Sequence, residues 1–378
     1  MRGRSSGENR RENARYRRSA PLVMYWEKGE LVFENYALRT RITADPLICS
    51  ILTFCNVWKS VRSVATYLNV HKLEPVRRAL ERLSANGVLE RFGEKVDPRV
   101  KAMREWGAWN PAAGFFHFST KDTTFAANQA ETFADWQRRK GLAAMPSPLK
   151  RYPEARRTQL PAVEAAGEFA AVLRRRRTWR KYSRDAVTRE SLSRILKLTF
   201  GIHGWVEVPR VGRAAVKTSP SGGDLHPIEA YVVVRRVRGV KPGIYHYNAA
   251  KHALDRLGAA PRRASLEKSL GGQWWFARSA FLVVMAAVSR RTRWKYEFPR
   301  AYRALLLEAG HLGQTFCLTA TWAGLAPFST IAMKDSQWEE WLRIDGVEES
   351  VVYVVGAGAR PEDTSGAHLE TLGKAVKS

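Results

Sequence analysis

The sequence predicts a mixed helix-and-strand protein in two parts, a winged helix over residues 21–100 and a larger α/β-patterned body from about Gly167. Three observations predict this. Three short, capped helix patterns lie between Asp45 and Gly87, flanked by strand-like runs. The longest apolar run, Ala280 to Val288, is nine residues, where a membrane-spanning helix needs about 20. A long amphipathic stripe then runs from Ala301 to Trp322 before Gly324 stops it.

Composition sets the outer bounds. At 378 residues and 45% hydrophobic, the chain can bury a large core, which excludes wholesale disorder. Three cysteines without a CxxC pair speak against a disulfide framework and against a zinc finger. No apolar stretch follows the N-terminal charges, so a secretory signal is not expected and the expected compartment is the cytoplasm. The net charge of +27 raises nucleic acid, anionic membrane and acidic peptide as partners. Residues 1–20 hold seven Arg and two Glu among small polar residues, and are expected to be a disordered basic tail.

In chain order, Val23–Tyr25 and Leu31–Phe33 flank Lys28-Gly29-Glu30 and read as a hairpin. Asp45-Pro46 opens a helix with Leu47, Ile48, Ile51, Leu52 and Cys55 at helical spacing. Ser60 caps a second helix through Val61, Val64, Ala65 and Leu68, and Glu74-Pro75 opens a third, closed at Asn86-Gly87. Val88, Leu89 and Phe92 complete the winged-helix pattern as a strand. The third helix carries Arg77, Arg78 and Arg82, which pull toward DNA, but beside them Glu74 and Glu81 give the mixture usual for an exposed helix, and the same scaffold could hold a peptide as an added strand. Residues 101–160 read as a linking segment with one helix near Ala126 to Lys140. Beyond it, Phe169–Leu173 and Leu192–Phe200 read as helices, Tyr231–Val237 as a strand, and Ile244–Tyr247 with His252–Leu257 as a hairpin. Phe281–Val288 is a buried strand and Val351–Val355 the last one, ending in Gly356-Ala357-Gly358.

Metal and hydrolase motifs are missing: there is no HExxH and no G-x-S-x-G elbow. Gly356-Ala357-Gly358 lacks the third glycine and the following βαβ unit of a dinucleotide fingerprint. Four other segments carry chemistry. Arg176-Arg177-Thr178-Trp179-Arg180-Lys181-Tyr182 alternates guanidinium and hydroxyl donors, which suits a phosphate or an ordinary basic turn. Ser219-Pro220-Ser221-Gly222-Gly223-Asp224-Leu225-His226-Pro227 offers small residues and hydroxyls that let a backbone approach a flat ligand. Lys295-Tyr296 places two protic side chains before the long helix, as acid–base work needs. Gln314 faces away from that helix's apolar stripe.

In this order and combination, the segments resemble the flavin-dependent nitroreductase superfamily. More narrowly, they are similar to its azoline-oxidising peptide dehydrogenases, the type found in streptolysin S, microcin B and cyanobactin clusters. That family's Arg-Arg-Ser-x-Arg-x-Phe signature stands here with Thr178 for Ser and Tyr182 for Phe. Its Pro-Ser-Ala-Gly-Ala-Leu-Tyr-Pro loop matches residues 220–227, with Gly222, Asp224 and His226 as departures. Its Gly-x-Tyr-x-Tyr strand is Gly243-Ile244-Tyr245-His246-Tyr247. Lys295-Tyr296, Tyr302-Arg303 and the Glu308-to-Gln314 run Glu-Ala-Gly-His-Leu-Gly-Gln match the rest, and the resemblance covers about residues 161–360.

The resemblance implies an α+β nitroreductase-like fold over 161–378, a homodimer and bound FMN. Arg176, Arg177, Thr178, Arg180 and Arg360 would hold the phosphate. Ser219, Pro220, Ser221, Gly222 and Gly223 would line the ribityl chain and ring, with Gln314, Gly324 and Leu325 from the partner side. Lys295 and Tyr296 would be catalytic in oxidising a thiazoline or oxazoline of a ribosomal precursor peptide, with oxygen as final acceptor. The region 21–100 would grip the peptide's leader, and a cyclodehydratase would be a further partner. Two alternatives stay open: α,β-desaturation or dehydroamino-acid reduction on a peptide, and a non-enzymatic DNA-binding regulator.

Overall fold

The computed structural model describes residues 14–43, 45–123, 154, 156–161, 166–208 and 212–364. The chain divides into two compact units. The first holds Met1–Lys121, Ser289–Ala304 and Val347–Glu349, and the second Asp122–Val288, Leu305–Gly346 and Ser350–Ser378.

In the first unit, the capped helix patterns form as the spacing predicts. Asp45 accepts from the Ile48 amide at 2.9 Å and starts α1 (Pro46–Phe54). Ser60 accepts from the Ser63 amide at 3.1 Å and starts α2 (Val61–Tyr67). In α3 (Leu73–Ala85), Val76, Leu80 and Leu83 face inward, and Gly87 closes the end at φ 70°. These faces pack with Ile51, Leu52 and Cys55 into one core. The sheet beside them is not the expected wing. Its order is β5-β1-β6, from β1 (Arg15–Arg18), β5 (Lys59–Ser60) and β6 (Leu89–Arg91). The strand after α3 therefore pairs with the N-terminal segment, and residues 15–18 are a strand where a disordered tail was expected. The cause is Tyr16, which is fully buried in the helical core and draws the basic segment with it. The predicted hairpin does form, as β2 (Leu22–Glu27) and β3 (Glu30–Asn35), but with β4 (Thr40–Thr43) it builds a separate sheet.

The arginines of α3 are already engaged. Arg77 reaches Glu74 at 2.6 Å and Glu81 at 2.7 Å, and Arg78 reaches Glu74 at 2.7 Å. From 98 onward the chain forms α4 (Pro98–Glu105) and α5 (Ala112–Thr120), with Trp106 and Trp109 buried between them and Tyr302. The helix expected near Ala126 to Lys140 lies outside the described residues.

The second unit is built on a six-stranded sheet of order β11-β10-β9-β12-β14-β13. Its strands are β9 (Ile228–Val234), β10 (Gly243–Asn248), β11 (Ala253–Gly258), β12 (Phe281–Val288), β13 (Leu325–Thr330) and β14 (Glu349–Ala359). Every residue of β12 is buried, as a continuous apolar run in a central strand requires. A second hairpin, β7 (Gly204–Val208) with β8 (Gly212–Val216), was not expected from the sequence. The helices of this unit are α6 (Glu168–Arg175), α7 (Arg189–Phe200), α8 (Arg263–Ser269), most of the long α10 (Tyr302–Trp322) and α11 (Asp335–Leu342); α9 (Ser289–Lys295) belongs to the first unit. No described helix is long and apolar enough to cross a membrane.

Candidate functional site

The arginine-rich segment follows α6 and is fixed by backbone bonds to the edge of the sheet. The Trp179 amide donates to Pro327 O at 2.9 Å and the Ser183 amide to Ala359 O at 3.0 Å. Tyr182 donates to Trp179 O at 2.8 Å, and its ring lies over Gly358, where a Cβ would come within 2.7 Å of it. At Gly356 a Cβ would strike the Phe328 ring at 2.5 Å. The glycines of β14 thus serve aromatic packing, which is why the strand reads like a nucleotide motif without being one.

Arg360 turns back on the same place. It donates to Leu325 O at 3.0 Å and to Thr321 O at 3.1 Å, closing the C-terminal end of α10. Its guanidinium lies 5.4 Å from the centroid of the Trp179 ring. Gly324, Leu325 and Arg360 therefore stand at the end of α10, beside Trp179 of the segment that carries Arg176 and Arg180. Arg176 is near enough to Cys317 to oppose the burial that pushes that thiol up to about 11. Arg177 instead bends onto its own backbone, donating to Arg174 O at 2.7 Å.

This cluster lacks a counter-charge. Arg176, Arg180 and Arg360 form no ion pair with any described residue, and Arg180 Nε is buried without a partner. Burial lowers the pKa of Arg180, and burial together with the Arg175 charge lowers that of Arg360. Such a site has the charge and the open donors that a phosphate satisfies.

The serine–glycine loop is held against α10 by side chains that the sequence reading left unassigned. Ser219 Oγ pairs with Thr315 Oγ1 at 2.8 Å, and Ser221 donates to Glu308 Oε2 at 2.6 Å. Glu308 and Thr315 are two helical turns apart and share a face, so the loop follows the helix axis. The His226 amide donates to Ser221 Oγ at 2.9 Å. Gly223, Asp224 and His226 all take left-handed φ values, of 73°, 57° and 42°. Asp and His pay a steric penalty there, and backbone strain of this kind gathers at functional loops. Pro220, Gly222 and Gly223 are exposed, as is Gln314 on α10. The Glu308 signal was present in the sequence within the Glu-to-Gln helical motif. Its partner was not, because nothing local links residue 221 to 308.

Lys295 and Tyr296 fall in the first compact unit, at the end of α9. Tyr296 O accepts from Trp109 Nε1 at 2.9 Å, and Lys295 Nζ lies 5.6 Å from the Tyr296 ring centroid. Lys295 is exposed and Tyr296 half-buried. Arg293, two residues earlier, is held by Glu348 at 2.6 Å. Among the described residues no group of three His, Cys, Asp or Glu could hold a metal ion.

Residues 173–359 match the family model described as the nitroreductase family. The MJ1384 protein of Methanocaldococcus jannaschii, named as a nitroreductase, is 32% identical over 186 residues, which are 49% of this chain and 89% of that protein. The chain belongs to the nitroreductase family. The trifolitoxin-processing protein TfxB of Rhizobium leguminosarum bv. trifolii is 31% identical over 151 residues, 39% of this chain. This chain spans only 40% of TfxB's length. A solved Escherichia coli microcin synthetase McbBCD complex with truncated pro-MccB17 aligns with a TM-score of 0.44 at 20% identity, covering 71% of this chain and 95% of that one. The family region contains Arg176, Arg180 and the strained loop and ends one residue before Arg360, while the first 172 residues lie outside it. Nitroreductases are flavin enzymes, and the unpaired arginines here fit the phosphate of a flavin mononucleotide.

Proposed function

We propose that this nitroreductase uses FMN to oxidise a ribosomally made peptide, converting a thiazoline or oxazoline to the aromatic azole. The observation that carries the flavin is the buried, unpartnered Nε of Arg180 among cations that no carboxylate of the described residues neutralises. Arg176, Arg180 and Arg360 hold the phosphate by charge-assisted bonds, with Thr178 adding a hydroxyl. Arg177 adds positive charge rather than a direct contact. Ser219, Pro220, Ser221, Gly222 and Gly223 orient the remainder of the cofactor, since Glu308 and Thr315 fix the loop from behind. When bound, FMN accepts the hydride that the substrate loses.

Lys295 and Tyr296 remove and relay the ring proton. Gln314 completes the site from a second copy, whereas Gly324 and Leu325, expected from the partner side, stand beside Arg360 of the same chain. Dimerisation through α10 is supported by its exposed Leu306 and Leu307, which are 40% and 63% accessible. At the other end of α10, Trp322 and Phe169 are also exposed, with Trp322 Nε1 donating to Glu168 at 2.8 Å.

The peptide substrate is supported by the likeness to TfxB, and the first unit is the part that would bind its leader. Engagement of Arg77 and Arg78 by their own helix's carboxylates weighs against DNA reading. The deciding experiment is mass analysis of a co-expressed precursor beside absorbance of the purified protein. A yellow protein that releases FMN, with a precursor lighter by two hydrogens, is the expected result. A precursor heavier by two hydrogens would establish reduction instead, and a colourless protein that cannot be reconstituted with FMN would end the reading.

A further inference from the structure

A cavity lies in the second unit, toward the sheet edge opposite β13. It encloses about 470 Å³ between α7 and the β10–β11 hairpin. That volume is in the usual range for a small-molecule site, about 300–1,000 Å³. In the sheet order, β10 is four strand spacings from β13, or about 19 Å at the usual separation. None of the residues assigned to the flavin lines it.

The cavity has an apolar floor and one directed polar chain. Leu192 and Leu196 of α7 and the rings of Tyr245 and Tyr247 are buried beneath it. Tyr247 Oη lies 2.7 Å from His252 Nδ1, and His252 Nε2 lies 2.8 Å from Ser193 Oγ. Burial pushes Tyr247 up to about 12, so its hydroxyl keeps its proton and is free to donate it to Nδ1 in the tautomer protonated at Nε2. His252 is shifted below its ordinary value, by burial and then by Lys197, which favours the neutral ring. A neutral ring accepting at Nδ1 carries its single proton on Nε2 and donates it to Ser193. The chain of bonds therefore ends on the Ser193 hydroxyl, which makes no other hydrogen bond among the described residues. His252 sits at φ 48°, a left-handed conformation, where these two bonds hold its ring between strand and helix.

Charge selects the ligand's sign. Arg189 and Lys241 line the cavity against one carboxylate, Glu190, and neither cation forms an ion pair among the described residues. We propose that this cavity binds a small monoanion with an aromatic or branched apolar body, its carboxylate accepting from Ser193 and facing Arg189 and Lys241. The apolar body fills the space over Leu192, Leu196 and the two tyrosine rings. The site stands independently of the peptide-oxidation reading.

The test is calorimetric titration of the full-length protein, as purified, with 3-phenylpropionate and with its uncharged analogue 3-phenylpropan-1-ol. Saturable one-to-one binding of the acid, with the alcohol at least about tenfold weaker, is expected, since hydrogen bonds to charged groups are worth about a decade or more in affinity. Ser193→Ala and the surface change Lys241→Glu should each weaken the acid by about tenfold, while the protein's visible absorption spectrum stays unchanged. Absence of saturable binding, equal binding of acid and alcohol, or binding untouched by both substitutions would overturn the proposal. Loss of flavin from the Ser193→Ala protein would also overturn it, by making the cavity part of the cofactor site.

Discussion

Ser221 donates its hydroxyl proton to the buried carboxylate of Glu308 across 2.6 Å, and the same oxygen accepts the backbone amide of His226. One side chain thus ties both ends of the strained loop to the long helix. Hydrogen bonds to charged groups contribute about 1.5–3 kcal/mol. Ser221→Ala should lower stability by about that amount and weaken FMN binding, read from the thermal midpoint and from flavin fluorescence. Ser221→Thr, which keeps the hydroxyl, should recover most of the loss.

Arg180→Ala should weaken FMN by about one to two orders of magnitude, because it removes a charged donor from the phosphate. Flavin retained through extensive dialysis at the wild-type level would show that Arg180 faces elsewhere. Arg177→Ala should have a smaller effect, since Arg177 is bound to the carbonyls of Arg174 and Arg176.

Lys295→Ala and Tyr296→Phe should leave the visible spectrum intact while reducing peptide turnover by about 10²–10⁴-fold, the usual contribution of positioned acid–base groups. Lys295→Arg should rescue poorly, because a guanidinium keeps its proton. Full activity in both single variants would reduce the pair to a solvated approach to α10.

Gly358→Ala should destabilise the flavin unit by about 1–3 kcal/mol, as overpacking does. Its new methyl would meet the Tyr182 ring at 2.7 Å, and that ring is pinned by its bond to Trp179 O. Thermal unfolding checks this, and an unchanged midpoint would show that Tyr182 moves freely.

Acid should loosen the start of α4. Asp97 accepts from the Arg99 amide at 2.8 Å and from its guanidinium, and the Arg99 side chain holds the Asp97 pKa below its ordinary value. A depressed carboxylate stabilises above its unfolded pKa of about 3.9 and loses that contribution as pH falls further. Asp97→Asn should therefore narrow the stability difference between neutral pH and pH 3, seen in urea titrations at the two values.

Much of the candidate site was legible because its motifs are short and contiguous. The Arg176–Tyr182 segment, the Ser219–Gly223 loop and Arg360 each stand as a recognisable local pattern, and the structure joins Arg180 to Arg360 through Trp179. Glu308 and Thr315 stayed hidden as loop anchors because their partners are 87 and 96 residues away. The β7–β8 hairpin was missed for another reason: its Trp205, Val206 and Val216 are exposed, so burial imposes no readable alternation.

The sequence by itself determined the helices, the central strands and the family, since caps, apolar periodicity and motif order are written locally. Asp45, Ser60 and Gly87 set the helix ends, and the unbroken apolar run set β12 between covered faces. Only the tertiary structure decided which strands pair and which charges stay unsatisfied. β6 could have met a wing, yet Tyr16 needed burial and drew β1 between β5 and β6. Arg77 and Arg180 look alike in a composition count. One is neutralised by two carboxylates on its own helix; the other is half-buried, its Nε covered, with no carboxylate among the described residues, and that difference arises from long-range packing, which no local pattern encodes.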